Sequence, residues 1–120
     1  MPSKKKRKGV TPMDAQLKRG VLSICILQLL KEKDRYGYDL IKILQKFFPD
    51  TEESTLYAIL RRLHKEGLTH LYAGGEISHG PPRKYYRLSD QGEKALQEAV
   101  SSWQKIETIL REIGIPPASL

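Results

Sequence analysis

Apolar periodicity changes twice along this chain, and those changes constrain the fold more than anything else in the sequence. Up to Gly67 the apolar residues recur at helical spacing. Between Leu68 and Leu88 they fall in two short β-prone runs, and beyond Ser89 the helical period returns and holds to Ile113. Three helices, a hairpin and a final long helix are therefore expected, in that order.

Local signals set the boundaries. Thr11-Pro12 is a helix start, with Thr11 as N-cap, Pro12 in the first helical position and Asp14 in the first turn, for a helix running to about Lys31. A second helix fits Gly37 to Phe47, with Leu40, Ile41 and Leu44 on one face and Pro49 as a stop. The third is expected from Thr55 to Glu66, capped by Ser54 and ended by Gly67 in the left-handed conformation. Leu68–Tyr72 and Lys84–Leu88 read as strands joined by a Gly/Pro-rich loop, with Tyr85 and Tyr86 pointing to opposite faces. Ser89 caps the last helix, which Gly114 and Pro116-Pro117 stop. This is a mainly α fold with a small β-hairpin: a winged helix-turn-helix over residues 11–89 and a C-terminal helix over 90–114, between a basic arm at 1–10 and a tail at 115–120.

The third helix carries the sharpest chemistry. Leu56, Ile59, Leu60 and Leu63 form an inward stripe, which leaves Thr55, Ala58, Arg61, Arg62 and Lys65 outside, with Ser54 and Tyr57 near the start. Hydroxyls at a helix N-terminus followed by arginines suit entry into the DNA major groove, where Arg takes guanine O6 and N7 together. His79, Arg83 and Lys84 lie at or near the hairpin tip, where a basic loop can follow a phosphate backbone. An ordinary solvated face, with Arg83 and Arg87 paired to acids such as Glu76, is the competing reading.

Charge alone does not decide between them. The net charge is +7, but Lys4, Lys5, Lys6, Arg7 and Lys8 supply five of it. That arm reads as a phosphate-attracting tail or a one-cluster nuclear import signal. Other classes are disfavoured. No apolar run reaches the ~18–20 residues of a membrane span, and no apolar core follows the basic start as in a secretory signal. Cys25, the one cysteine, sits in an apolar run as a buried small hydrophobe, and His64, His70 and His79 have no metal-ligand spacing. Without a phosphate loop or a nucleophile–base pair, an enzyme is not expected, nor is a cofactor or a metal.

Leu96, Ala99, Trp103, Ile106, Leu110 and Ile113 are spaced as the a and d positions of a heptad. A helix of about 25 residues spans roughly 37 Å, more than a small winged helix covers, and its seam calls for a symmetric partner. A homodimer would set two recognition helices about one DNA turn, roughly 34 Å, apart.

Several motifs resemble the PadR family of transcriptional regulators: Tyr36-Gly37-Tyr38-Asp39-Leu40, Ser54-Thr55-Leu56-Tyr57, Leu60-Arg61-Arg62-Leu63 with Glu66-Gly67-Leu68, and the run Gly80 to Ser89 with Gly92. The likeness covers about Gly20 to Ile113. It implies a dimeric, cytoplasmic bacterial repressor of a palindromic double-stranded DNA operator, with contacts at Tyr38, Ser54, Thr55, Tyr57, Arg61, Arg83 and Lys84. In short members with a single C-terminal helix, a tryptophan from each subunit sandwiches planar aromatic compounds at the dimer centre. Ser101–Glu107 is similar to that stretch, which implies a small aromatic ligand at Trp103 and Glu107, with Val100, Leu17, Gly20 and Ile24 around it. Val100 stands where an aromatic would enlarge the stacking surface, and Lys105 adds a positive charge. A ligand-independent repressor and a winged-helix protein-interaction module are the alternatives.

Overall fold

The computed structural model describes residues 13–74 and 83–118 and orders them as α1 (Ala15–Glu32), β1 (Arg35–Tyr36), α2 (Gly37–Phe47), α3 (Glu53–Lys65), β2 (Thr69–Gly74), β3 (Arg83–Leu88) and α4 (Asp90–Ile113). This is the expected order, with one strand added. The basic arm, the Thr11-Pro12 start, Glu76 and His79 lie outside the described residues.

Two helix starts differ from expectation. Asp14 is the N-cap of α1 rather than a first-turn residue: its carboxylate accepts from the Gln16 and Leu17 amides at 2.9 and 3.1 Å. α3 begins at Glu53, two residues early. The Thr51 amide closes the preceding turn on the Phe48 carbonyl, and the Thr55 and Leu56 amides already bond the Glu52 carbonyl. Ser54 thus sits inside the first turn of α3 and is not its cap.

The helix ends follow their glycines. Gly67 has φ +84°, and the Leu68 amide reaches back to the Leu63 carbonyl while Gly67 bonds His64, a Schellman closure. Gly114, at φ +118°, ends α4 in the same way.

α1, α2 and α3 enclose the core with Leu22, Ile26, Leu27, Leu30, Leu40, Ile41, Leu44, Leu56, Ile59, Leu60 and Leu63. Cys25 is partly buried against it. α4 contributes Leu96, only 2% exposed, and the partly buried Ala95 and Val100. Leu96 therefore seals its own subunit and is not left for a partner, a correction to its place in the heptad seam.

The start of α4 is knotted to the end of α3. Ser89 Oγ accepts from the Gly92 amide at 2.9 Å and donates to the Gly67 carbonyl at 2.7 Å, while its amide bonds the Leu68 carbonyl. Gly92 is packed so closely on the Leu68 carbonyl that a Cβ would overlap it.

The sheet is antiparallel in the order β1-β3-β2. Thr69 pairs with Leu88 through to Gly74 with Arg83, and the two residues of β1 add to the far side of β3, Arg35 opposite Tyr86 and Tyr36 opposite Tyr85. β1 escapes sequence reading because two residues have no period. Tyr86 packs against the core and Tyr85 lies on the other face, as the alternation predicts.

Candidate nucleic-acid interface

α3 turns its apolar stripe fully into the core, which fixes what it shows outside. Ser54, Thr55, Ala58, Arg61, Arg62 and Lys65 are exposed, and Tyr57 is half-buried at the helix shoulder. Arg62 is not a free cation. Its guanidinium donates to the Ser23 hydroxyl of α1 at 2.8 Å and stands 3.3 Å from the Glu66 carboxylate.

An open cleft of about 400 Å³ lies between the start of α2, the shoulder of α3 and the base of the wing. Tyr38, Tyr57, Arg83 and Lys84, four of the residues expected to meet DNA, line it together with Tyr36, Gly37 and Tyr86. Gly37 lets α2 start close against the wing: a Cβ there would stand 3.2 Å from the Tyr86 ring, which would have to give by a few tenths of an ångström. Burial pushes the Tyr57 and Tyr86 phenols above their ordinary range, with Arg61 pulling Tyr86 the other way. Both keep their protons at physiological pH and remain donors, which is what an anionic phosphate accepts. Ser54, Thr55 and Lys65 do not line the cleft.

Tyrosines crowd the wing's outer face. The Tyr36 ring centroid lies 6.0 Å from that of Tyr38 and 5.9 Å from that of Tyr85, and Tyr85 stacks on Tyr72 at 5.7 Å. Arg83 Cζ sits 5.0 Å from the Tyr36 centroid, and Lys42 Nζ lies 5.1 Å from that of Tyr38 and 3.6 Å from the Glu53 carboxylate. The Tyr72 hydroxyl donates to Asp34 at 2.6 Å, and that bond holds the phenol above its ordinary range. The sequence pattern alone does not bring Tyr36 or Lys42 to this face. Tyr36 opens the Tyr36-Gly37-Tyr38 motif, which was the signal available for it.

Along α4 the apolar face beyond Val100 is uncovered. Trp103 is 43% exposed and Ile113 72%, with Ile106, Ile109 and Leu110 also open. Ile109, off the heptad register, escaped the sequence reading. Leu17 is 73% exposed, Gly20 has nothing within 4 Å of where a Cβ would stand, and Glu107 is exposed. Ala99 is half-buried, whereas Val100 and Ile24 already pack partly on the subunit's own core. Among the described residues no helix is long and apolar enough to cross a membrane, and no cluster of His, Cys, Asp or Glu is placed to hold a metal.

A three-helix core with an exposed basic third helix and a hairpin beside it defines a winged helix-turn-helix protein. Residues 26–98 match the transcriptional regulator PadR-like family. The chain belongs to that family: it is a transcriptional regulator and not an enzyme. It is 38% identical over 95 residues to an uncharacterized protein of Lysinibacillus sphaericus, covering 77% of this chain and 86% of that protein. A PadR-like transcriptional regulator from Bacillus cereus superposes with a TM-score of 0.73 at 34% identity, over 86% of this chain and 100% of the other. A PadR family transcriptional regulator from Eggerthella lenta gives a TM-score of 0.70 at 35% identity, over 82% and 85%.

Proposed function

We propose that this regulator is a homodimeric repressor of a palindromic operator, acting in the cytoplasm on the nucleoid. α3 enters the major groove with Ser54, Thr55, Ala58 and Arg61 toward the bases and Lys65 toward the backbone. Tyr38, Tyr57, Arg83 and Lys84 hold a phosphate at the cleft, and the wing, with His79 in its loop, follows the strand. The observation that carries the dimer is the apolar face of α4. Trp103, Ile106, Leu110 and Ile113 are left open by their own subunit, and Ala99 half-open, at heptad spacing. A second copy supplies the missing cover by two-fold symmetry, and the same symmetry matches a palindrome.

A second element of the reading is a small aromatic ligand at the dimer centre. Trp103 offers an exposed indole face, Glu107 a carboxylate one turn on, and Leu17 and Gly20 an open patch of α1. Ile24 and Val100 contribute only their remaining exposed edges. Such a ligand relieves repression only if it binds the DNA-incompetent spacing of the two recognition helices more tightly.

The test is operator titration by fluorescence anisotropy over a salt series, with solution mass measured in parallel. The expected result is one dimer per palindrome and an affinity that falls steeply with salt. A monomer in solution, or binding insensitive to salt and to the palindrome, overturns the reading.

A further inference from the structure

The outer face of the wing carries a row of three rings. Tyr36, Tyr85 and Tyr72 occupy directly opposed positions on β1, β3 and β2, so one ring from each strand falls in register across the sheet. Centroid separations of 5.9 and 5.7 Å show the rings in contact. Gly74 makes room for two of them: a Cβ there would stand 3.1 Å from the Tyr85 ring and 3.2 Å from that of Tyr72. The outer end of the row is fastened where Tyr72 donates its hydroxyl to Asp34, in the corner between α1 and β1.

The inner end of the row meets Arg83. That residue is two positions before Tyr85 on β3 and so shares its face, diagonal to Tyr36 across the β1–β3 pair. The Arg83 guanidinium carbon lies 5.0 Å from the Tyr36 centroid, at the mouth of the cleft that Arg83, Lys84, Tyr38 and Tyr57 line. A four-torsion side chain at the base of a loop would otherwise sample many directions, and each loses freedom on meeting a phosphate.

We propose that Tyr36 is the positioning residue for Arg83: its ring face, held by the row from Tyr85 to Tyr72 and Asp34, fixes the guanidinium toward the DNA backbone before DNA arrives. The inference rests on the DNA-binding reading of the wing given above. Tyr36 acts through Arg83 and needs no contact of its own with DNA. Its aromatic face matters and its hydroxyl does not.

The experiment compares operator binding by anisotropy for the wild-type protein, Tyr36→Phe, Tyr36→Leu, Arg83→Ala and the Tyr36→Leu/Arg83→Ala pair. Arg83→Ala is expected to lower the salt slope by about one phosphate contact. Tyr36→Leu should weaken binding roughly two- to five-fold, the scale of an exposed cation–π contact. Tyr36→Phe should match wild type, and the pair should bind no more weakly than Arg83→Ala alone. Equal losses from Tyr36→Leu with and without Arg83 overturn the proposal, as does a Phe variant as weak as Leu. An Arg83→Ala protein with wild-type affinity and slope would instead sink the wing reading underneath. Nuclear magnetic resonance of the free protein tests the geometry with no substitution in the row's core. The Arg83 side-chain protons should be ring-shifted upfield, and the surface variant Tyr72→Phe should reduce that shift. Random-coil shifts for Arg83 in the wild-type protein overturn the proposal outright.

Discussion

The Arg62 guanidinium of α3 is bonded to the Ser23 hydroxyl of α1 at 2.8 Å, whereas its neighbour Arg61 makes no hydrogen bond or ion pair among the described residues. Two adjacent arginines on one helix therefore stand in different surroundings. Arg61→Ala is expected to lose ~1–3 kcal/mol of discrimination between operator and random DNA if it reads a base. Arg62→Ala should reduce stability by ~0.2–1 kcal/mol, with Ser23→Ala reproducing most of that loss. Parallel anisotropy and urea unfolding of the three variants check both statements. A drop in salt slope for Arg62→Ala that Ser23→Ala lacks would make Arg62 a phosphate contact.

The junction of α3 with α4 has no spare room. Gly92→Ala places a methyl against the Leu68 carbonyl and the Leu88 side chain, and is expected to cost about 1–3 kcal/mol as overpacking. Ser89→Ala removes the α4 cap and the bond to Gly67, and should cost ~0.5–2 kcal/mol. Guanidinium unfolding midpoints at unchanged slope would register both.

The proposed dimer seam on the open face of α4 can be tested with a single charge. Ile113→Glu or Ile106→Glu should shift the protein toward monomer in light scattering and weaken palindrome binding, while the helical circular dichroism of the subunit is retained. A dimer undisturbed by either change would move the interface elsewhere.

Trp103 is the one tryptophan, so its emission reports on that face alone. Saturable quenching by planar aromatic cations at micromolar concentration is expected, and Glu107→Gln should weaken cationic compounds more than neutral ones. Flat titrations across such a panel make Trp103 a packing residue.

Burial pushes the Cys25 thiol above its ordinary value of 9.0. The folded protein holds the thiol neutral, and iodoacetamide should label it more slowly, with a higher pH midpoint, than it labels the unfolded chain. The sign for stability follows. This group's contribution is intact below the unfolded thiol's pKa and is lost as pH rises toward the folded value, because the unfolded thiolate forms first.

Most of the architecture was legible because its signals are local. Gly67, Ser89 and Gly114 end or begin helices through their own backbone or hydroxyl, and the α2 limits follow from Gly37 and Pro49. What escaped was non-local. β1 exists only because β3 offers it an edge, and α3 starts early because the Thr51 amide closes a turn on Phe48. Leu96 fits the heptad seam by spacing, yet it is claimed by the subunit's own core. The exposed residues of α3 could be named from one apolar stripe. Arg62's tie to Ser23 and Arg83's seat on Tyr36 join residues 39 and 47 positions apart, which no periodicity encodes.

The Ser89 knot and the packing of Leu96 and Val100 fix the first turns of α4 to the body that carries α3, while the rest of the helix projects free. The free stretch, Ser101–Ile113, at 1.5 Å per residue makes an arm of about 20 Å. A shift of about 3 Å at its tip corresponds to a turn of about 9° about the junction with the body that carries α3. Because α4 starts on the Ser89 junction, displacement of its far end is expected to reach α3 as a rotation of the body and not as a sliding of one helix past another.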